Sequence, residues 1–589
     1  MYIQERIENL IKEALKTLDI PARNAFSIAN AGGEVKSISI EHPTDLDMGD
    51  YSTNIAMSLA KKLKANPKEL AGKIVEELNK RVALSGDLRV TLNKIEAKNG
   101  FVNFYLSKEF FANSIKEILE NKNFGKNNLL EGKKIMVEYT DPNPFKPFHI
   151  GHLMTNAIGE SISRIVEFSG AKAIRANYQG DVGPHVAKAI YGLLKFGMPP
   201  LDKSVSEKAH YIGELYAKGN NAYENDEKAK KEIDEINQKI YDKSDEKINE
   251  IYDWGRRITL EAFEEIYKIL GTSFNYYFFE SLMAPIGKKI VEDNIGKVFE
   301  NSDGAVVFKA QKYDPKLHTR VFITSHGLPT YETKELGLIK TKFEKEKLDT
   351  SIVITAHEQE EYMKVVRKAV ETIDPEIASK MKHIVHGMMR LESGKMSSRK
   401  GNVITGESLI LESCSEIFGK IKDQDFTDEE KQQISKDVGV SALKYSILKQ
   451  NIGGDIIYDK EKSISFEGDS GPYLQYSYAR ANSILEKAKE NQLRIINYEL
   501  PNNWEVTEIE KLLYRFPEII LKSAEEFEPH YIANYLIELA RFYNTYYGNT
   551  KIVDKDDRTS PYKVALTLAF ASVIKNGLYI LGIKAPEKM

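Results

Sequence analysis

Apolar positions in the first nineteen residues recur at intervals of three and four. Ile3, Ile7, Leu10, Ile11, Ala14 and Leu15 share one face, with Glu and Lys between them. That spacing predicts an amphipathic helix. Two more helical patterns follow, NIAMSLAKKL (54–63) and, after Pro67, ELAGKIVEEL (69–78). LRVTLNKIEAKNGFVNFYLS then alternates like strands around Gly100, so residues 1–108 read as a small α/β domain. KKIMVEYT (133–140) is a short apolar run flanked by charge, which predicts a buried strand. Beyond a Pro-rich loop, Leu153, Ala157, Ile158, Ile162, Ile165 and Val166 predict a helix that stops at Gly170. AIRANYQ (173–179) returns as a strand. Strand, loop, helix and strand in that order build a parallel sheet.

Residues 201–256 are highly charged and helical in period, and are expected to form an insertion with solvated faces. Strand-like runs resume at AVVF (305–308), VFIT (321–324), TSIVITA (350–356) and HIVHGMM (383–389), with a helix from about 359 to 371 between the last two. One parallel sheet interrupted by an insertion accounts for the pattern. From about 406 onward the period is helical, which predicts a stem at about 406–465 and a bundle over 466–589. The expected fold class is multidomain α/β plus all-α. A small N-terminal α/β domain precedes a Rossmann-like parallel-sheet domain with insertions (109–465), and a helical bundle closes the chain.

The length of 589 residues exceeds what one core supports. A net charge of −4 provides no bulk basic field, so any nucleic acid must be held by local patches. The single cysteine, Cys414, excludes an internal disulfide and fits a reducing compartment. The N-terminus is charged and no run of about 18 apolar residues is read anywhere, so neither a signal peptide nor a membrane span is expected. The expected location is cytoplasmic.

Candidate chemistry concentrates in DPNPFKPFHIGHL (141–153), which carries two histidines three residues apart. Three readings are open. A metal site needs further ligands, which His185, His357 or His386 would have to supply, and no HExxH is present. In the second reading the pair simply caps a helix or lies satisfied in a core. The third reading is phosphate binding. The pair sits where a strand gives way to a helix N-terminus, whose free N–H groups favour anions, and Gly151 would let a nucleotide approach the backbone. A second cationic stretch, ESGKMSSRKG (392–401), is bracketed by glycines and contains Lys395, Arg399 and Lys400. Such a loop can close over a triphosphate.

HIGH at 149–152 together with KMSSR at 395–399 resembles the paired signatures of class I aminoacyl-tRNA synthetases. VEYTDPNPFKPFHIGHL, IRANYQGDVG, SFEGDSGPYLQYSYAR and the terminal LGIKAPEKM resemble the arginyl-tRNA synthetase family in particular. GDYSTNIA (49–56) and GFVNF (100–104) are similar to that family's additional N-terminal domain. The resemblance implies an ATP-dependent arginine–tRNA ligase that forms arginyl-adenylate and pyrophosphate, then passes arginine to the 2′-OH of the terminal adenosine. It implies catalytic roles for His149, Gly151, His152 and Lys395, with Met396, Ser397, Arg399 and Lys400 also on ATP. Ser398 stands where the signature has its second lysine, and Arg399 or Lys400 is left to replace it. Arginine would be held by Glu138, Asn143, Glu280, Tyr331, Glu335 and Gln359, where Glu335 replaces the more usual Asp. Tyr473, Tyr476 and Tyr547 would stack on anticodon bases, and Phe101 and Asn103 would meet the tRNA's outer corner. The implied partners are L-arginine, ATP and tRNA(Arg), with Mg²⁺ travelling on the nucleotide, no protein-held metal, no membrane and a monomeric chain.

Overall fold

The predicted first helix runs Ile3–Thr17 and buries all six residues of its apolar face. The computed structural model describes residues 3–20, 38–45, 48–391, 405–493 and 504–589. The chain divides into two compact units. One comprises Met1–Phe124, Ala481–Glu518 and Leu539–Val573, and the other Gly125–Arg480, Ile519–Glu538 and Ile574–Met589.

In the first unit β1 (Tyr51–Thr53), β2 (Leu92–Lys98) and β3 (Phe101–Leu106) form an antiparallel sheet in the order β1-β3-β2. Asn99 and Gly100, at φ of 54° and 87°, make the tight turn between β2 and β3. The helix Pro67–Leu84 starts on Asn66, which accepts from the Lys68 N–H at 2.9 Å, with Pro67 at the first helical position. Ile7, Ile11, Leu78 and Phe104 share a core with Tyr514, a residue far along the chain.

The second unit contains β4 (Lys134–Glu138), β5 (Lys172–Gln179), β6 (Tyr276–Phe279), β7 (Glu300–Ser302), β8 (Ala305–Phe308), β9 (Arg320–Ile323), β10 (Thr350–Ala356), β11 (Met381–His386), β12 (Met389–Leu391) and β13 (Ile456–Tyr458). Its main sheet has the order β11-β10-β4-β5-β6 with every pair parallel. The chain winds outward from β4 to β6, then restarts at β10 on β4's other side. The crevice at the carboxyl ends of β4 and β10 is thus a topological switch point. Two expectations are corrected. β8 and β9 do not join this sheet but form an antiparallel one with β7, over a core of Phe299, Phe308 and Phe322. β13, which pairs with β12, is a short strand in a region expected to be helical throughout.

The charged insertion folds as three helices, Val205–Asn225, Glu227–Asp242 and Glu246–Leu270. It is more than a solvated appendage, because Ile212, Ile233, Ile236 and Ile248 pack on Val186, Ile190 and Phe145 beside the HIGH loop. The helix Ser560–Ile580 corrects another expectation. It is 21 residues long with a mean hydropathy of 1.2 over its most apolar window, enough in length and composition to cross a membrane. Two thirds of that window is buried inside the protein (67%), as in the core helix of a helical domain.

Candidate active site

β4 delivers Glu138 to the switch point, and the Pro-rich loop then leads into the helix Ile150–Phe168. His149 is the N-cap of that helix. Its Nδ1 accepts the His152 N–H at 3.4 Å, and His152 Nδ1 accepts the His149 N–H at 3.2 Å. The two rings stack with centroids 3.4 Å apart. This is a capping box made of two histidines where Ser or Thr with Glu or Gln is usual. Burial, helped by Lys146, lowers the His149 imidazole to about 4, although that residue keeps exposed surface on the cleft. Burial, then His149 and Lys146, holds His152 well below the ordinary histidine range. A neutral imidazole whose Nδ1 accepts must carry its proton on Nε2. Both rings therefore offer an Nε2–H donor. The first turn of the helix contains no acidic residue, so its positive end is not neutralised.

Gly151 has a task beside the one expected. A Cβ there would lie 2.9 Å from His149 Cε1, so the missing side chain also makes room for the histidine ring. Gly180, after β5, works the same way for other residues. A Cβ there would stand 2.2 Å from Asn143 Oδ1 and 3.2 Å from Glu280 Oε1.

His149, Gly151 and His152 line one cleft of about 610 Å³ together with Glu138, Asn143, Glu280, Tyr331, Glu335 and Gln359. The helix Glu280–Asp293 starts directly after β6, and buried Asp181 holds its first turn by accepting the Ser281 N–H at 2.9 Å and the Ser281 hydroxyl at 2.8 Å. Tyr331 and Glu335 lie one turn apart on the helix Tyr331–Lys345. Burial and then the Glu138 charge push the Glu335 carboxyl up to about 8. Burial also raises Glu280, against the pull of Lys334, whose Nζ donates to Glu280 Oε2 at 2.5 Å. Glu138 forms an ion pair with Lys342, and both are buried.

Sequence reasoning passed over Lys146, Tyr178, Lys334 and Lys342. Lys146 and Tyr178 line the cleft, while Lys334 and Lys342 neutralise its carboxylates. Lys395, Met396, Ser397, Arg399 and Lys400 lie outside the described residues. The metal reading finds no support, since each histidine commits Nδ1 to the other's backbone. Among the described residues no group of three or more His, Cys, Asp or Glu side chains is disposed around a common point.

Among the expected RNA contacts, Tyr476 and Tyr547 are each 37% exposed, and the Arg480 guanidinium lies 4.7 Å from the centre of the Tyr476 ring. Tyr473 and Phe101 are half-buried. Asn103 does not present a surface. It is fully buried opposite Ser52, whose hydroxyl donates to Asn103 Oδ1 at 2.7 Å, while Asn103 Nδ2 has no hydrogen-bond partner among the described residues.

A doubly wound parallel sheet with a histidine-capped helix and an acidic pocket at its switch point defines a class I aminoacyl-tRNA synthetase catalytic domain, and the corresponding family profile, tRNA synthetases class I (R), catalytic domain, matches residues 114–460. The profiles of the arginyl-tRNA synthetase N-terminal domain and the DALR anticodon-binding domain match residues 5–106 and 474–589. An arginine–tRNA ligase of Borrelia hermsii is 32% identical over 602 aligned positions, covering 100% of this chain and 99% of that one. One from Borreliella afzelii is 31% identical, covering 99% of this chain and 100% of that one. The chain belongs to the arginyl-tRNA synthetase family. The solved arginyl-tRNA synthetase of Thermus thermophilus has the same fold, with a TM-score of 0.79 at 24% identity and 100% of both chains covered.

Proposed function

We propose that this chain performs its family's reaction, ATP-dependent ligation of arginine to tRNA(Arg), with the roles that follow. The observation carrying the assignment is that two Nε2–H donors at a helix N-terminus share one cleft with a buried carboxylate cluster. The arginine carboxylate attacks the α-phosphorus of ATP, the bond to the β-phosphate breaks, and pyrophosphate leaves. No covalent enzyme intermediate is needed, so the protein contributes position and charge. His149 and His152 donate to the phosphates as negative charge builds, supported by the helix terminus and Lys146. Mg²⁺ rides on the nucleotide, and Lys395 holds the departing pyrophosphate. A terminal ribose 2′-OH then takes the arginyl group and AMP leaves.

Glu335 and the free oxygen of Glu280 face the guanidinium, with Tyr331 as a wall. Asn143 and Gln359 hold the α-amino and carboxylate ends. A planar, permanently charged fork fits such a set, whereas a lysine ammonium leaves part of it unpaired. Tyr473, Tyr476 and Tyr547 stack on anticodon bases, and Phe101 meets the outer corner of the tRNA. We take the working enzyme to be a cytoplasmic monomer.

The test is ATP–pyrophosphate exchange with arginine, with and without tRNA(Arg). Arginine-dependent exchange is expected, stimulated by the tRNA. His149→Ala or His152→Ala should each lose about 3 kcal/mol of barrier stabilisation, roughly a hundredfold in rate. Charging of lysine but not arginine would overturn the assignment.

A further inference from the structure

The cluster around Glu335 holds more carboxyl groups than cations. Lys334 takes Glu280 Oε2, and Lys342 takes Glu138. Asp141 Oδ1 accepts the Tyr178 N–H at 2.7 Å. Glu335 Oε2 is buried and, among the described residues, has neither a hydrogen-bond nor an ion-pair partner, whereas Glu138 Oε2, also without a hydrogen bond, is ion-paired with Lys342. Glu335 and Lys342 are two turns apart on one helix face, and Glu138 ends the central strand beside them. Lys342 therefore has a choice of two buried carboxylates on its own side of the pocket, and the fold gives it Glu138.

We propose that Lys342 is a positioning residue that determines substrate specificity: by holding Glu138 in an internal ion pair, it leaves Glu335 as the buried carboxylate that the substrate's guanidinium must neutralise. The inference rests on the arginine-ligase reading and adds to it the residue that decides which carboxylate is free. Without a cation on Glu138, two adjacent buried carboxylates would share one substrate charge. One of them would then hold a proton, because like charges that close do not both ionise.

The surroundings fix the expected pH dependence. From the neighbouring elements Glu335 feels Glu138, Asp141 and Tyr178 around the central strands, Glu280, and Tyr362 on the helix Glu360–Ile373. Glu332 and Lys342 act from its own helix. Behind it lies a second cavity of about 580 Å³, whose charged lining groups include Glu360, Lys364, Arg367, Lys380, Lys382 and His383. Among these cations only Lys342 is ion-paired with a member of the carboxylate pair, Glu138. The free carboxyl, raised to about 8, must ionise when the guanidinium arrives. Arginine affinity therefore rises with pH up to about 8 and falls below it.

The experiment measures kcat and KM for arginine in tRNA-stimulated pyrophosphate exchange between about pH 6.5 and 9.5, bracketing that carboxyl. In the wild type, KM should fall as pH rises and then level off. Lys342→Met should move the fall upward by about one pH unit or more, and raise KM near neutral pH about tenfold with much less change in kcat. Lys342→Arg should restore the wild-type profile. The double variant Glu138→Gln/Lys342→Met removes both charges, so the pH at which KM falls should return toward the wild-type value, whatever the loss of Glu138 does to KM itself, and it should remain measurable if the single variant folds poorly. A Lys342→Met profile that coincides with wild type, or a double variant no better than the single, would overturn the inference. Absence of arginine-dependent exchange in the wild type would instead overturn the underlying reading.

Discussion

In the proposed reaction two histidines, a glycine and a handful of carboxylates make the chemistry, and the histidines and carboxylates depend on neighbours that touch no substrate. His149 can stack on His152 only because position 151 is empty: a Cβ would stand 2.9 Å from one atom of its ring and 3.0 Å from another. Gly151→Ala should expel the ring from the helix terminus. Pyrophosphate exchange is expected to slow by about a hundredfold, because an aligned donor is lost. Stability should fall by no more than about 1 kcal/mol, the worth of a cap. A rate close to wild type would show that the cap has no part in the reaction. The paired histidines were legible because HIGH at 149–152 is intact, and the acidic residues only through the family resemblance of the stretches that carry them. Their partners were not. TYETKELGLIKTKFEK reads as a charged surface helix, since lysine is seldom buried. Yet Lys334 and Lys342 are 4% and 1% exposed, turned inward by carboxylates on β4 and on the helix after β6. Nothing local to the sequence announces such partners.

Glu280 and Glu335 come from segments more than fifty residues apart, and their spacing is set by two helices in backbone contact. A Cβ at Gly337 would lie 2.2 Å from the Met283 carbonyl oxygen, and one at Gly287 1.8 Å from that of Thr333. Gly337→Ala must push the helices apart. Overpacking of this kind costs about 1–3 kcal/mol, visible as a lower Tm. The larger consequence should be several-fold weaker arginine binding with little change in the KM for ATP, since only the acidic wall moves. Equal weakening of both would show that the displacement is not confined to that wall. Among the elements, β4, β5, β8 and β10 could be read because short apolar runs between charged flanks mark buried strands. β6 is the four aromatic residues YYFF, too short and too uniform for a period to register. β8 and β9 were legible as strands but not by sheet. Side-chain alternation records burial, and says nothing about which strand lies alongside or in which direction.

Lys444 shows how strongly distant parts of the second unit depend on one another. It is fully buried and donates to the carbonyls of Leu270 at 2.6 Å and Gly582 at 2.7 Å. Burial, with Arg164 and Lys584 adding to it and Glu160 opposing, lowers its ammonium to about 7. The unfolded chain would keep that proton until roughly pH 10.4, so between the two values it binds more protons than the native state. The group's contribution to stability is thus complete above the upper value and lost as pH falls through the lower one. Lys444→Met has no such titration, so the Tm advantage of wild type over this variant should widen as pH is raised from about 6.5 to 9. A constant difference would mean that the ammonium stays charged when buried. At this scale the sequence was least informative. Helical period identifies helices without saying which unit owns them, and Tyr514 packs among residues some four hundred positions earlier.

The paired histidines also govern how the cleft meets reagents from outside. Acylating compounds attack an imidazole at its unprotonated nitrogen, and in both rings that lone pair is already engaged by a backbone N–H. Covalent inhibitors aimed at these imidazoles will meet blocked nucleophiles, so chemistry directed at this cleft has to compete through hydrogen bonding and charge instead.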